Sequence, residues 1–389
     1  MNGESIKVVV VPPRVCGTFK TALYETIHLS QIGVPTSLVT NSRGMTPVRV
    51  AYDSLLDSVS LEYLPSSRFL STIMDTATRR YRTVQGTGKK SEIDIDLGSA
   101  IKSNVYARRI VGMCSGVVFH NVLSAMSALP EIRKVRNVLY IHSQPIADQI
   151  RLLSVSKRLA SVIKQIEKLI VHNADKLMAD NMIVAGIIKR EFGRSCHVIY
   201  NGCTPAENIA TERDSIIFSV NRWDVDRGIP LLLEIMTKLK ETPFRLVMAG
   251  SWASQELLSW AIGEISARGL NDKITITGPI DETELFALYQ KARCMVYPVY
   301  ALFGYSALEA AANGLPFVMP KGSGAWEVFE PGRHGFAAEE NSAPSFSDCL
   351  MNFLDEDVSV SMGCKIWNKA KEMTWEHHAR QLHMLLRSC

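Results

Sequence analysis

The sequence lacks the features that mark membrane-spanning, disulfide-stabilised and zinc-binding proteins. No apolar run reaches the roughly 18 residues that a membrane-spanning helix requires. The eight cysteines form no CxxC pair, and no cysteine–histidine cluster has the spacing of a zinc site. The first residues contain neither a basic segment nor a long apolar one, so we expect no secretory signal. Free thiols in the reducing environment of the cytoplasm are therefore expected.

The sequence also has little excess of one sign of charge over the other. The 43 lysine and arginine residues nearly balance 39 acidic ones and leave a formal net charge of +4. This balance argues against a dedicated nucleic-acid-binding protein. A composition of 47% hydrophobic and 21% charged residues is typical of globular proteins, and a length of 389 residues predicts two domains.

Short apolar runs alternate with helical stretches along the chain. Residues 6–11 are a β-branched run that ends at two prolines, and residues 21–32 have helical spacing of apolar side chains before Gly33. Strands are further predicted at 35–40, 116–120 and 136–142. This order predicts a doubly wound α/β domain.

A second α/β series follows a sharp turn and a polar segment near residues 201–214, where we place a domain boundary. Strands are predicted at 216–220, 244–250, 274–278 and 294–298. The predicted fold class is therefore α/β, with two Rossmann-like domains that face a cleft. Ligands of such sheets bind beyond the carboxyl ends of the strands, so the loops after strands are the candidate sites.

The loop after strand 216–220 contains two arginines, Arg222 and Arg227, just before a predicted helix. Two guanidinium groups beside a helix N-terminus suit a diphosphate. The structural alternative is a solvated loop in which these arginines pair with Asp224 and Asp226.

A glycine-containing loop after strand 294–298 also leads into a predicted helix. Gly304 lies in this loop, and the backbone amides of the following helical turn are available to an anion. Glu309 falls on the first turns of the helix, where its carboxylate could accept ribose hydroxyl groups. The simpler alternative for Glu309 is an interaction with the helix dipole.

His120 and His142 each follow a predicted first-domain strand, where a histidine can be functional or structural. The other histidines considered fall in helical stretches and are expected to be structural: His28, His172, His377, His378 and His383.

Segment 68–90 is basic beside apolar residues, so contact with an anionic membrane or with a phosphorylated acceptor is a hypothesis for it. The amphipathic stretch 149–170 is predicted to be an ordinary surface helix. Asp94 and Asp96 have the DxD form of a metal site but follow no buried strand, and segment 86–91 lacks the first glycine of a phosphate loop. Neither motif is assigned a function.

These motifs occur together in the order and spacing of GT-B fold glycosyltransferases. The sequence resembles the retaining family 4 of these enzymes through residues 221–228, Gly278, residues 303–310, residues 314–316 and residues 322–328. The resemblance covers about residues 215–386 and is fainter in the first half. It implies a sugar transfer from a nucleotide-diphosphate sugar to an acceptor hydroxyl, with retention and without a metal cofactor.

The resemblance also implies roles for individual residues. His142, Arg222 and Arg227 are the expected catalytic residues, and the two arginines clamp the diphosphate. The residues expected at the donor are Gly17, Arg222, Arg227, Gly278, Phe303, Gly304, Tyr305 and Glu309. The implied domains are 1–203, with 366–389 crossing back to it, for the acceptor, and 204–365 for the donor. The acceptor, a sugar or a lipid- or protein-linked group, is not identified.

One position departs from the family pattern. The family usually has two glutamates separated by seven residues, and here Glu309 is the second whereas Ala301 occupies the first position. Alternative functions are therefore a catalytically weak or inactive nucleotide-sugar-binding relative or, on weaker grounds, a sugar-nucleotide epimerase. Tyr300, Tyr305, backbone or water could replace the missing carboxylate.

Overall fold

The chain divides into two units in a computed structural model. The first contains Met1–Asn201 and Trp375–Cys389, and the second contains Gly202–Thr374. The structure describes residues 5–10, 17–41, 45–64, 110–111, 114–126, 128, 131–143, 145 and 157–389. Segments 68–90, 86–91 and 94–96 lie outside the described residues, as do residues 149–156.

The first unit contains a parallel sheet with helices between its strands. Its strands are β1 (Ile6–Val10), β2 (Thr36–Asn41), β3 (Ser60–Leu64), β4 (Gly116–His120), β5 (Arg136–Ile141), β6 (Lys176–Ala179) and β7 (His197–Val198). Its helices before residue 200 are α1 (Gly17–Gln31), α2 (Met45–Leu56), α3 (Asn121–Met126), α4 (Lys157–Asn173) and α5 (Met182–Phe192). The strand order is β3-β2-β1-β4-β5-β6-β7.

The second unit repeats this architecture with a six-stranded parallel sheet. Its strands are β8 (Asp214–Val220), β9 (Arg245–Ala249), β10 (Ile274–Gly278), β11 (Ala292–Val296), β12 (Phe317–Pro320) and β13 (Gly335–Ala338). Its helices are α6 (Ile229–Lys238), α7 (Gln255–Ala267), α8 (Glu282–Lys291), α9 (Tyr305–Ala312), α10 (Ala343–Met351) and α11 (Glu356–Ala370). The strand order is β10-β9-β8-β11-β12-β13.

In both parallel sheets, the sequence order of the strands reverses at one point. In the first unit, β1 pairs with both β2 and β4, and in the second unit β8 pairs with both β9 and β11. A loop after each strand on either side of such a reversal is drawn to the opposite face, which opens a crevice at the carboxyl edge. The two Rossmann-like sheets confirm the predicted α/β fold class.

The central strands are covered on both faces, so their sequences are continuous apolar runs. These runs allowed the strands to be predicted. Every residue of β1, β4 and β11 is buried. Strand β11 begins two residues before the predicted 294–298, because it includes Arg293, whose apolar stem and paired head group allow its burial. The Arg293 Nε donates to the backbone oxygen of Arg213 at 3.1 Å.

Helix α11 belongs to the second unit, so the return to the first unit starts at Trp375 instead of the expected residue 366. The Ser359 hydroxyl donates to the backbone oxygen of Arg293 in β11, and Ile366 is fully buried. These contacts attach α11 to the second sheet.

The C-terminal helix α12 (Trp375–Arg387) packs in the first unit. The Trp375 ring stacks on Tyr24 of α1 with a centroid distance of 5.0 Å. Ala379, Leu382, Leu385 and Leu386 join the same apolar core as the β1 and β4 side chains. The helix thus completes the core of the first unit.

We expect Leu382→Ala to lower the free energy of unfolding by about 2–5 kcal/mol, because Leu382 is fully buried and the substitution leaves a cavity. Met384 lies on the same helix and is 64% exposed, so Met384→Ala should change it by less than about 0.5 kcal/mol. Urea unfolding followed by circular dichroism measures both. Equal effects would show that α12 does not pack as described.

Candidate functional site

The predicted donor-binding loops follow the two strands at the reversal of the second sheet. The arginine loop, residues 221–228, follows β8, and the glycine loop, residues 297–304, follows β11. A Cβ atom on Gly228 would lie 2.9 Å from Val299 and 3.0 Å from Pro298. The two loops therefore touch, and the glycine is what allows this close approach.

Arg222 does not form the ion pairs of the structural alternative. It is exposed, and its side chain makes no hydrogen bond or ion pair with the rest of the described chain. Asp224 is buried and serves the loop itself, since its Oδ1 accepts from the Val225 amide at 2.8 Å and its backbone oxygen accepts from the Arg227 amide at 3.0 Å. Its carboxylate holds the loop instead of neutralising an arginine.

Arg227 is only partly neutralised. Its Nε lies 3.4 Å from Asp226 Oδ1 without hydrogen-bond geometry, and its side chain is 31% exposed. It also contacts Tyr297 at the end of β11; burial raises the pKa of this phenol, and Arg227 opposes that rise. The guanidinium group is thus positioned between the two loops with hydrogen-bonding capacity left.

Two helices begin at these loops without a capping side chain. The N-terminal caps of α6 and α9 are Gly228 (φ 69°) and Gly304 (φ 88°). In contrast, a serine or aspartate side chain caps each of the other four helices of the second unit, which is fully described: Ser254, Asp281, Ser342 and Asp355. No side chain therefore occupies the N-terminus of α6 or α9, where the helix dipoles favour an anion. Pro230 in the first turn of α6 has no N–H, and the Ala307 amide of α9 donates to the Gly304 backbone oxygen at 2.9 Å.

The glycine loop is held in place by the loop after β12. The Gly324 amide donates to the backbone oxygen of Ala301 at 2.9 Å, and the Ala301 amide donates to Ser323 Oγ at 3.4 Å. A Cβ on Gly324 would lie only 1.5 Å from the backbone oxygen of Leu302. Phe303 is buried, and Tyr305 starts α9 at half-buried depth.

Glu309 lies one turn into α9 and is half-buried. Its Oε2 accepts a hydrogen bond of 3.1 Å from the hydroxyl group of Tyr289, a fully buried residue of α8. Burial raises the pKa of Tyr289 well above its ordinary value, and the Glu309 charge acts in the same direction, so the phenol remains a donor. Tyr289 thus orients the carboxylate, a role that the sequence did not indicate.

Gly278 ends β10, which is separated from β8 by β9. Its backbone oxygen accepts from the Gly250 amide at 2.8 Å, and a Cβ on Gly250 would lie 1.9 Å from the backbone oxygen of Asn221. The loops after β10, β9 and β8 are therefore packed side by side. Gly278 joins the same edge as the arginines through these contacts.

Three buried nitrogen donors at this edge have no hydrogen-bond partner within the described chain. They are Asn221 Nδ2, Arg227 Nε and Trp252 Nε1. Burying a donor without a partner destabilises a fold by about 1–3 kcal/mol, so each of these groups requires an explanation. An acceptor-rich ligand supplies one, because phosphate, ribose and base oxygens would satisfy them.

The first-unit predictions lie on the carboxyl side of its sheet. Gly17 begins α1, after β1, and His142 directly follows β5. The His142 Nε2 lies 2.9 Å from Nδ1 of His120, whose Nε2 lies 2.8 Å from Glu25 Oε2. The other Glu25 oxygen lies 2.8 Å from Nε2 of His378 on α12.

Glu25 and His378 were not among the predicted functional residues. A signal for them exists: Glu25 falls between the buried Ala22 and Leu29 on α1, and His378 falls between the buried Trp375 and Leu382 on α12. A titratable residue in the apolar stripe of a helix indicates a buried polar network.

The electrostatics of this cluster favour a charged glutamate and a neutral His142. Burial raises the Glu25 pKa, but His120 and His378 outweigh this effect and lower it to about 2. Burial lowers the His142 pKa well below its ordinary value. Within the described residues no group of three or more metal-ligating side chains occurs, and no helix is long and apolar enough to cross a membrane.

Comparisons with known proteins agree with the geometry of the second unit. Residues 204–373 match the family model described as glycosyl transferases group 1. The chain is 26% identical over 217 residues to glycogen synthase of Mycobacterium tuberculosis, covering 53% of this chain and 52% of that protein. It is 26% identical over 248 residues to D-inositol 3-phosphate glycosyltransferase of Corynebacterium jeikeium, covering 56% and 58%.

The fold matches over the whole chain. The structure of Anabaena HepE in complex with UDP and glucose superposes with a TM-score of 0.72 at 13% identity, covering 99% of this chain and 100% of that one. The alignments with the curated relatives span only about half of their length. The second unit therefore resembles the group 1 glycosyltransferases, and the fold is that of GT-B enzymes, which confirms the sequence resemblance to glycosyltransferases of this fold.

We expect Gly324→Ala to weaken nucleotide binding by more than about tenfold, since the new methyl group would displace the backbone at Leu302 and with it the glycine loop. Gly263 on α7 has nothing within 4 Å of the place that a Cβ would occupy, so Gly263→Ala is the matched control with unchanged binding. Isothermal titration with UDP measures both. Equal affinities would contradict the packing of the glycine loop.

Proposed function

We propose that this protein is a glycosyltransferase that moves a sugar from a nucleotide-diphosphate sugar to an acceptor hydroxyl group. The observation that carries the proposal is the edge of the second sheet, where Arg222, Arg227 and the uncapped starts of α6 and α9 meet. Fixed cations and dipoles of this kind stabilise a diphosphate as the bond to the sugar breaks. UDP or UDP-glucose in the solved HepE complexes supports a uridine donor.

The individual roles follow from the positions. Arg222 and Arg227 bind the diphosphate, and the amides after Gly304 bind phosphate or sugar oxygens. Glu309, oriented by Tyr289, accepts hydrogen bonds from the ribose. Gly278 lets the loop after β10 approach the base, Gly17 serves the donor at the start of α1, and His142 is the catalytic residue of the first unit.

Retention and metal independence are part of the proposal. The cationic edge can offset the charge of a leaving diphosphate, which is the task that a divalent cation performs in metal-dependent transferases. Retention is tested by proton NMR of the product anomer. Metal independence is tested by turnover in excess EDTA, where loss of activity restored by Mg²⁺ would contradict it.

Removal of either arginine tests the donor site. Arg222→Ala and Arg227→Ala should each weaken UDP binding by about 10- to 100-fold, because a charge-assisted hydrogen bond contributes about 1.5–3 kcal/mol. Arg245 is an exposed arginine at the amino end of β9, so Arg245→Ala is the matched control. A thermal-shift panel of UDP, GDP and ADP with their sugars reports the affinities. Retained shifts in both variants would place the ligand elsewhere.

A second candidate function is nucleotide-sugar binding without transfer. Ala301 motivates it, since this residue is 8% exposed and occupies the position of a family glutamate. Binding of a sugar nucleotide without hydrolysis or transfer, assayed with inositol phosphate and α-glucan acceptors, would favour this candidate. These acceptors are chosen from the names of the relatives.

Substitution at 301 tests the missing carboxylate directly. Ala301→Glu should alter donor preference or rate, because a buried carboxylate beside the glycine loop would meet the donor sugar. Ala301→Gln, equal in size but neutral, is the control. If both variants turn over donor at the wild-type rate, position 301 is remote from the reaction; if both change alike, bulk and not charge is responsible.

A further inference from the structure

Four titratable side chains form one buried chain of contacts in the first unit. His142, His120, Glu25 and His378 follow one another at 2.9, 2.8 and 2.8 Å. His142 directly follows β5, and His120 is the last residue of β4. Glu25 lies on α1, and His378 lies on α12. His120, Glu25 and His378 have side chains that are at most 1% exposed, so water cannot supply or remove their protons freely.

The proton positions in this series of contacts can be assigned by starting from His378. The Nδ1 atom of His378 lies 2.8 Å from the backbone oxygen of Tyr200, and its Nε2 lies 2.8 Å from Glu25. Both neighbours are acceptors, because a carbonyl oxygen and an ionised carboxylate carry no proton. His378 therefore carries protons on both ring nitrogens and neutralises Glu25.

The charge balance between His378 and Glu25 determines the protonation of the next residue, His120. With Glu25 already neutralised, His120 needs no charge of its own and donates to Glu25 through Nε2–H. The Nδ1 atom of a neutral His120 is then an acceptor, so the hydrogen of its contact with His142 comes from the His142 Nε2. The second nitrogen of His142, Nδ1, is left with its lone pair.

The surroundings of His142 are consistent with this state. Its Nδ1 lies 3.9 Å from Asp180 Oδ2, beyond hydrogen-bond distance. Asp180 accepts from the side-chain amides of Asn181 and Asn201 at 2.6 and 3.2 Å, so its charge has other donors. Burial keeps His142 neutral by lowering its pKa.

Backbone and ring contacts hold the histidines in this arrangement. Asn121 has a left-handed backbone (φ 71°), so the chain leaves β4 directly after His120. The Ser124 hydroxyl donates to the His120 backbone oxygen at 2.6 Å, and the Tyr140 ring stacks on His142 with a centroid distance of 3.8 Å. Rotation of the His142 imidazole would break its stacking contact, and the Ser124 bond fixes the backbone that carries His120.

We propose that Glu25, held by His378 of the C-terminal helix, is a positioning residue that acts through His120 to fix His142 as the Nε2–H tautomer. In that tautomer, Nδ1 of His142 accepts a hydrogen bond from a ligand hydroxyl and repels an anionic oxygen. The catalytic consequence rests on the proposed function, whereas the tautomer itself does not.

The wild-type protein tests the tautomer without any substrate. Long-range ¹H–¹⁵N spectra of the full chain, labelled with ¹⁵N in its histidine rings, distinguish protonated from unprotonated nitrogens. From these contacts we expect the Nε2–H tautomer at His142 and His120 and a proton on both ring nitrogens of His378, with assignments from single-histidine substitutions. A His142 that carries its proton on Nδ1 overturns the proposal, whether or not the protein transfers sugar.

Two substitutions separate the acceptor at Glu25 from its charge. In Glu25→Gln, the amide oxygen can still accept from His120, while the amide NH₂ donates to a neutral His378. We therefore expect the His142 tautomer to be retained and the His378 imidazolium signal to be lost. Glu25→Leu removes the acceptor, so His120 and His142 should each show a mixture of tautomers. A retained single tautomer in Glu25→Leu would contradict the role of Glu25.

Kinetics then distinguish positioning from structural support. Glu25→Leu should lower kcat by about 10- to 100-fold with KM for the donor within about threefold of wild type, and Glu25→Gln should restore most of kcat. The matched control is Thr26→Val, which removes a buried hydroxyl bonded to the Ala22 backbone oxygen on the same helix. An equal loss of kcat in Thr26→Val, or in both Glu25 variants, overturns the positioning role.

Discussion

The reversal of strand order between β8 and β11 is the constraint on which the second-unit site depends. Because the two strands are neighbours but their following loops lead to different faces, the starts of α6 and α9 come together at one edge. Gly228 allows the contact, since any Cβ there would meet Pro298 and Val299. A concentration of uncapped amides and guanidinium groups is unfavourable in an empty protein, and an anionic ligand offsets that cost.

Stability and function therefore oppose each other at this edge. Serine or aspartate caps stabilise helices by about 1 kcal/mol, and the second unit uses them on its four other helices but not on α6 and α9. The unpartnered nitrogens of Asn221, Arg227 and Trp252 add to the same deficit. Nucleotide binding should consequently raise the stability of this unit, as the thermal-shift measurement will show.

The sequence predicted what local pattern determines and missed what tertiary packing determines. Strand β4 is a buried apolar run, and the edge strand β10 is a β-branched run that ends at Gly278; both were predicted with their observed bounds. The charged Arg293 interrupts the apolar run, so the start of β11 was predicted two residues too late. Because α11 is attached to β11, the chain returns to the first unit only at Trp375. Tyr289 and Glu25 were missed because each acts through a partner that is distant in sequence.

The first unit has the same reversal, between β1 and β4, but a different filling. Glu25 on the helix after β1 and His120 at the end of β4 meet there, so a carboxylate is buried beside this reversal. A buried carboxylate is strongly destabilising unless a cation lies beside it. The C-terminal helix supplies His378, whose Nε2 lies 2.8 Å from Glu25, and this contact gives α12 a reason to return to the first unit beyond the burial of its apolar face.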